Sequence, residues 1–175
     1  MERRDFLAFL ALTGCGGEME YQIQPSPRLR SSTNTFPIGV FGRWTPGITF
    51  AIPGNLSVSY ATQTGFSLRI GEIVHLYFNI VTLSFTHTTA SDDLTITGVP
   101  FTFLADSGMG SVRFQGITKA GYTNFTPNIG SGATLLVSAS GSGQSLSTVL
   151  ASNMPTGGTV ILEGSLTLFA TTLFT

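Results

Sequence analysis

GEIVHLYFNIVTL, residues Gly71–Leu83, is the most strongly patterned stretch of the chain, and its reading decides the fold. Successive side chains of an extended strand alternate sides, which puts Val74, Leu76, Phe78 and Ile80 on one face. Ile73, His75, Tyr77, Asn79 and Val81 take the other. One face is wholly apolar and the other mixed, as expected of a strand between a core and a wetter or intermolecular surface. The run is β-branched and aromatic and opens after Gly71, which argues against a helix.

Working outward, the segments on either side read as further strands. Towards the N-terminus, Phe66–Ile70 predicts a strand, Thr62–Gly65 a turn, and Leu56–Tyr60 a half-buried alternating strand. Before them, Ile48–Ile52 is a short strand broken by the turn signal Pro53-Gly54-Asn55. Towards the C-terminus, Phe85–Asp93 (FTHTTASDD) reads as a polar loop before a strand over Leu94–Thr97. Gly98-Val99-Pro100-Phe101 closes that strand, because proline removes a ladder donor. Ser111–Gln115 alternates with Val112 and Phe114 inward; Gly116–Lys119 and Tyr122–Thr126 are weaker strands, and Ala133–Ala139 a strong one. Gly141–Gln144 is a turn, Ser145–Leu150 is ambiguous, and Asn153–Gly158 is a loop. The last run, Thr159–Phe174, places Val160, Leu162, Leu166 and Leu168 opposite Ile161, Glu163, Thr167 and Phe169, the pattern of a central strand. The fold class expected is all-β: a jelly-roll-like β-sandwich of about eight to ten strands over residues 41–175. An extended N-terminal anchoring arm over residues 1–40 precedes it.

Composition narrows the functional classes. Of 175 residues only 10% are charged, against about 25% in a typical soluble domain. No run of about 18 apolar residues occurs, so no helical membrane span is expected. Ser, Thr, Gly and Asn must cover much of the surface, and subunit contacts are expected to bury some of the apolar remainder. The formal charge of −1 and the scattered basic residues, clustered only at Arg3-Arg4 and Arg28–Arg30, argue against nucleic acid as a partner. A single cysteine, Cys15, excludes an intrachain disulfide and a multi-thiolate zinc site.

Two readings of the N-terminus compete. Arg3-Arg4, an apolar run and Leu12-Thr13-Gly14-Cys15 resemble a twin-arginine leader ending in a lipoprotein box, with Cys15 lipidated. The reading we prefer is a short amphipathic helix over Asp5–Leu12, whose Phe6, Leu7, Phe9 and Leu10 anchor the chain to a partner. The Pro-bearing segment from Glu18 to Ile38 has few apolar residues and is expected to run extended and depend on neighbours for order.

Between Trp44 and Phe101 several short motifs recur in a familiar order. They are Gly42-Arg43-Trp44-Thr45-Pro46, then Tyr60-Ala61-Thr62-Gln63-Thr64-Gly65-Phe66, then Arg69-Ile70-Gly71 leading into the long strand, and finally Leu94-Thr95-Ile96-Thr97-Gly98-Val99-Pro100-Phe101. This passage resembles bacteriophage virion proteins of the tail-fibre and head-decoration kind, and Gly164-Ser165-Leu166-Thr167-Leu168 sits where such chains end in a similar strand. The resemblance implies a homotrimeric jelly roll on the virus particle, joined to other virion proteins by the arm and binding host-surface glycan or protein. A capsid decoration or cement protein is the alternative of a different class.

Catalysis is not expected, nor any cofactor. Glycoside hydrolysis needs two facing carboxylates, whereas Asp92 and Asp93 are sequence neighbours and Glu72, Asp106 and Glu163 are dispersed. His75 and His87 have no metal-ligand spacing; in a trimer, His75 near the axis would make assembly pH-sensitive. The glycine pairs are turns, lacking the strand–loop–helix setting of phosphate sites. Trp44, Tyr60, Tyr77 and Tyr122 form either a sugar platform or, as we prefer, core and interface packing. The loops singled out as ligand contacts are Thr86–Asp93, with Thr86, His87, Thr88, Asp92 and Asp93, and Ala105–Gly110, with Asp106 and Ser107.

Overall fold

The structure, a computed structural model, describes residues 39–101, 108–130 and 132–169. The anchoring helix with Phe6, Leu7, Phe9 and Leu10, the rest of the arm before residue 39, and the loop residues Asp106 and Ser107 lie outside the described residues.

Alternation in the central stretch is realised as read. Strand β4 runs Ile73–Thr86, and Val74, Leu76, Phe78 and Ile80 are fully buried while His75 on the opposite face is exposed. The final strand, β10 (Ile161–Phe169), pairs antiparallel with β4 on one side and with β6 (Gly108–Gln115) on the other, so it is a central strand. On β10, Leu162, Leu166 and Leu168 face inward. Gly164 interrupts them because Phe78 lies across it: a Cβ there would stand 2.7 Å from Phe78 Cζ.

Strands β1 (Val40–Trp44) and β3 (Ser57–Ile70) complete a five-stranded sheet A in the order β1-β3-β4-β10-β6. The second layer, sheet B, has the order β2-β5-β8-β7, built from β2 (Gly47–Ile52), β5 (Ser91–Thr97), β7 (Asn124–Ile129) and β8 (Leu135–Ser140). A two-residue β9 (Ser147–Thr148) pairs with β8. All pairings are antiparallel. The β2–β5 segment is a long hairpin doubled over, with β2 and β5 in one sheet and β3 and β4 in the other, which gives the sandwich its jelly-roll-like winding. The core lies between the layers, where β4 and β10 meet Phe50, Leu94, Ile96, Leu135 and Val137. Burying each such side chain is worth about 1.5–3 kcal/mol.

Four local expectations are corrected. The turn expected at Thr62–Gly65 does not exist: β3 passes through it unbroken, paired to β4 from Thr62↔Val81 to Gly65↔Phe78, with a register shift near Tyr60. Gly65 serves packing instead, because a Cβ there would lie 2.5 Å from the Trp44 ring. The real reversal is Gly71, at φ +61. Secondly, the polar loop expected over Phe85–Asp93 shrinks to residues 87–90, because Phe85 is drawn fully into the core and Ser91 pairs with Ile52. Thirdly, Gly116–Lys119 forms no strand; Gly116 turns out of β6 at φ +97, and Ile117 is buried from a loop. The weak strand expected at Tyr122–Thr126 falls two residues later, at Asn124–Ile129.

Candidate functional site

The outer face of sheet A follows from registers that no single strand reveals. Phe41, Leu68, His75 and Thr167 align across β1, β3, β4 and β10, and Ile70, Ile73 and Phe169 form the next row. Of the nine exposed large hydrophobics among the described residues, Phe41, Leu68, Ile70, Ile73 and Phe169 all lie on this end of this face. Phe41 is 61% exposed and Phe169 56%. Such clustering sets these residues apart from isolated surface apolars, which need no explanation.

Beside this patch runs a row of rings. Phe41 stacks on Phe66 at 5.6 Å between centroids, and Phe66 on Tyr77 at 6.1 Å. The Arg43 guanidinium sits 5.2 Å over the Phe66 ring. Tyr77 then donates its hydroxyl hydrogen to Glu163 Oε1 at 2.8 Å, and Arg113 Nε donates to Glu163 Oε2 at 2.9 Å. The Tyr77 hydrogen bond, and after it that of Arg113, holds the Glu163 carboxyl below the usual carboxylate range. The same bond to Glu163 pushes the Tyr77 phenol up, because it favours the protonated form. His75 Nδ1 lies 2.9 Å from the Thr167 hydroxyl. Asn79, in the row beyond Tyr77, has its side-chain oxygen buried without a partner.

The ligand-loop residues are split by the fold. His87 is buried between the rings of Phe50 and Phe85, at 5.0 and 5.6 Å. Asn55 clips the neighbouring loop in place: its side-chain oxygen accepts from the Thr88 and Thr89 amides at 2.8 and 2.9 Å, and its amide donates to the Thr88 hydroxyl at 2.8 Å. Thr86 is exposed and ends β4. Among the described residues, Asp92 is the non-glycine residue at positive φ (75°), where β5 slips register against β2 between Phe50 and Ile52. Asp93 is turned to other work, accepting the Thr148 hydroxyl hydrogen and bridging Leu150. A cleft of about 360 Å³ unites His87, Thr88 and Asp92 with residues near the short 3-10 turn at Ala151–Asn153.

The aromatic residues do not assemble into one platform. Trp44 is buried and donates its indole hydrogen to the Phe66 carbonyl at 3.2 Å. Tyr60 takes the Ile48 amide at 2.9 Å, and Tyr122 donates to the Ser145 carbonyl at 3.0 Å. Among the described residues no group of three or more His, Cys, Asp or Glu could hold a metal ion, and no helix is long and apolar enough to cross a membrane.

Sequence reasoning missed Phe41, Leu68 and Ile70 as surface residues, and Ser152, Met154 and Thr156 as cleft residues. The signal for the first group was present: Phe66, Leu68 and Ile70 repeat at every second position, on the side opposite buried Ser67 and Arg69. The cleft carried no such signal, since its two walls are distant in sequence.

No protein-family model and no curated protein matches the chain. Among solved structures, the crystal structure of the Dettilon tailspike protein is similar, with a TM-score of 0.53 and 18% sequence identity over 73% of this chain. The match spans 23% of the tailspike chain, so the likeness is to a part of that protein and is one of fold.

Proposed function

We propose that this chain is a non-catalytic structural module of a bacteriophage particle, a homotrimer held through the outer face of sheet A and exposing its loops to the host surface. The carrying observation is the apolar patch of Phe41, Leu68, Ile70, Ile73 and Phe169 on a face with few charges. Strands about 4.8 Å apart with a rise of about 3.3 Å per residue give this five-stranded face, nine residues deep along β10, about 700 Å². A specific interface takes about 800 Å² from each partner, so further copies of the chain can cover the face. The motif resemblance between Trp44 and Phe101 and the fold likeness to part of a tailspike support the virion setting. The divergent surroundings of Asp92 and Asp93 support a binding rather than a hydrolytic role.

Sedimentation equilibrium on the full chain tests the assembly. A mass three times the 18.5 kDa chain is expected. A single-chain mass at high concentration overturns the reading. Locating the chain in a particle, at few copies on the tail or at many copies on the capsid lattice, separates an appendage from a decoration protein.

A further inference from the structure

The cleft beside Asp92 has features that neither the core nor the outer face of sheet A explains. Its walls come from the β4–β5 connection and from the segment after β9, brought together by the bridge between Asp93 and Leu150. Ser91, Asp92, Ser152 and Thr156 all line it, and none of their side chains makes a hydrogen bond within the chain among the described residues. Four solvent-exposed polar residues that make no hydrogen bond within the described chain thus border one concavity. Leu150 and the largely buried Met154 line it as well.

Asp92 stands at a bulge. Its left-handed φ of 75° coincides with the register shift against β2, where one extra residue of β5 is left out of the ladder. Bulges of this kind re-aim a side chain, and they concentrate near binding sites. The result separates two adjacent carboxylates: Asp93 is tied to Thr148, while Asp92 borders the cleft unpaired. His87 closes one side, its ring packed on Phe50 and Phe85 and its Nε2 buried without a partner. No lysine or arginine lines the cleft, so its one formal charge is negative.

We infer that this cleft binds a neutral pyranose unit of a surface polysaccharide. The Asp92 carboxylate accepts hydrogens from two sugar hydroxyls, the Ser91, Ser152 and Thr156 hydroxyls supply donors and acceptors around the ring, and Leu150 and Met154 meet its C–H face. A volume of about 360 Å³ falls in the lower part of the usual range for small-ligand sites. The unpaired carboxylate repels anionic sugars. This inference rests on the host-surface part of the proposed function but not on the trimer, and binding is read on the purified chain whatever its oligomeric state.

The test is an amide-resolved NMR titration of the full chain with methyl glucoside, methyl galactoside and, as the anionic probe, galacturonate. Shifts confined to residues 87–92 and 150–156 with a neutral glycoside, and at least tenfold weaker binding of galacturonate, are expected. Asp92→Asn should weaken the neutral sugar at least tenfold while keeping the fold, since asparagine also tolerates the left-handed backbone. Ser152→Ala, remote from the bulge, should weaken it by a smaller factor and serves if the first variant misfolds. Absence of shifts at the cleft with both glycosides, equal binding of galacturonate, or unchanged affinity in both variants overturns the inference. A correct trimer mass alongside such a failure leaves the structural role standing.

Discussion

The two outer faces of the sandwich are built on the same pleat and could hardly differ more in chemistry. The outer face of sheet B carries Thr49, Asn124, Thr126 and Ser140, interrupted by Leu136, with Thr95 and Ser138 of the same face buried. Sheet A presents Phe41, Phe66, Leu68, Ile70, Ile73, Tyr77 and Phe169. Water satisfies the exposed and half-buried hydroxyls and amides of the sheet B face at little cost, so these residues need no apolar cover. Apolar surface carries about 25 cal/mol per Å² of driving force towards burial, so sheet A gains from one. In a chain with so few charges, the apolar side chains left exposed are thus concentrated on sheet A rather than on sheet B.

That contrast can be broken by substitution, and the largest effect belongs to neither outer face. Phe78→Ala, on the inner face of β4, should cost about 3–5 kcal/mol of unfolding free energy in a denaturant titration. It sets the scale for true core burial. Ile73→Lys, directly opposite Phe169 in the register of the outer face, should leave each copy folded by circular dichroism. The same change should weaken association by about 1.5–3 kcal/mol per copy, roughly ten- to a hundredfold, seen as a fall in sedimenting mass. If Ile73→Lys instead unfolds the protein, the face is part of a core rather than an interface. The matching change on sheet B, Thr126→Lys on the edge strand β7, should shift stability by less than about 0.5 kcal/mol and leave the mass unchanged. Loss of the oligomer with Thr126→Lys would assign the interface to the wrong sheet.

The smallest effect concerns the Tyr77–Glu163–Arg113 cluster on sheet A. Because the Glu163 pKa is lowered in the folded protein, its contribution is present above the ordinary carboxylate pKa and fades as pH falls through the folded value. Glu163→Gln should flatten the acid limb of a stability-versus-pH curve measured at low salt. Salt should erase much of the difference, since Arg113 is 76% exposed and its pairing is screened. An unchanged acid limb would mean that the cluster is solvated decoration of the face.

Legibility in the sequence followed the range of the forces involved. The alternation of Val74, Leu76, Phe78 and Ile80, and of Leu162, Leu166 and Leu168, needed no knowledge of neighbours, because a two-residue repeat and a buried face are local facts. Thr62–Gly65 misled for the opposite reason. Its turn-like composition is local, but the Trp44 ring that requires Gly65 and the β4 ladder that straightens the segment come from elsewhere in the chain. The loop Phe85–Asp93 was misjudged in the same way, since Phe85 and His87 find their ring partner in Phe50.

What the amino-acid order determined alone is therefore the class of structure, the identity of the two central strands and which of their faces must be dry. Only the tertiary fold decided that Phe41, Leu68, Ile70, Ile73 and Phe169 would share one exposed patch, and that a bulge would part Asp92 from Asp93. The reason is physical: side-chain alternation is set within a strand by the geometry of one backbone, whereas a surface is made by register between strands far apart in the chain.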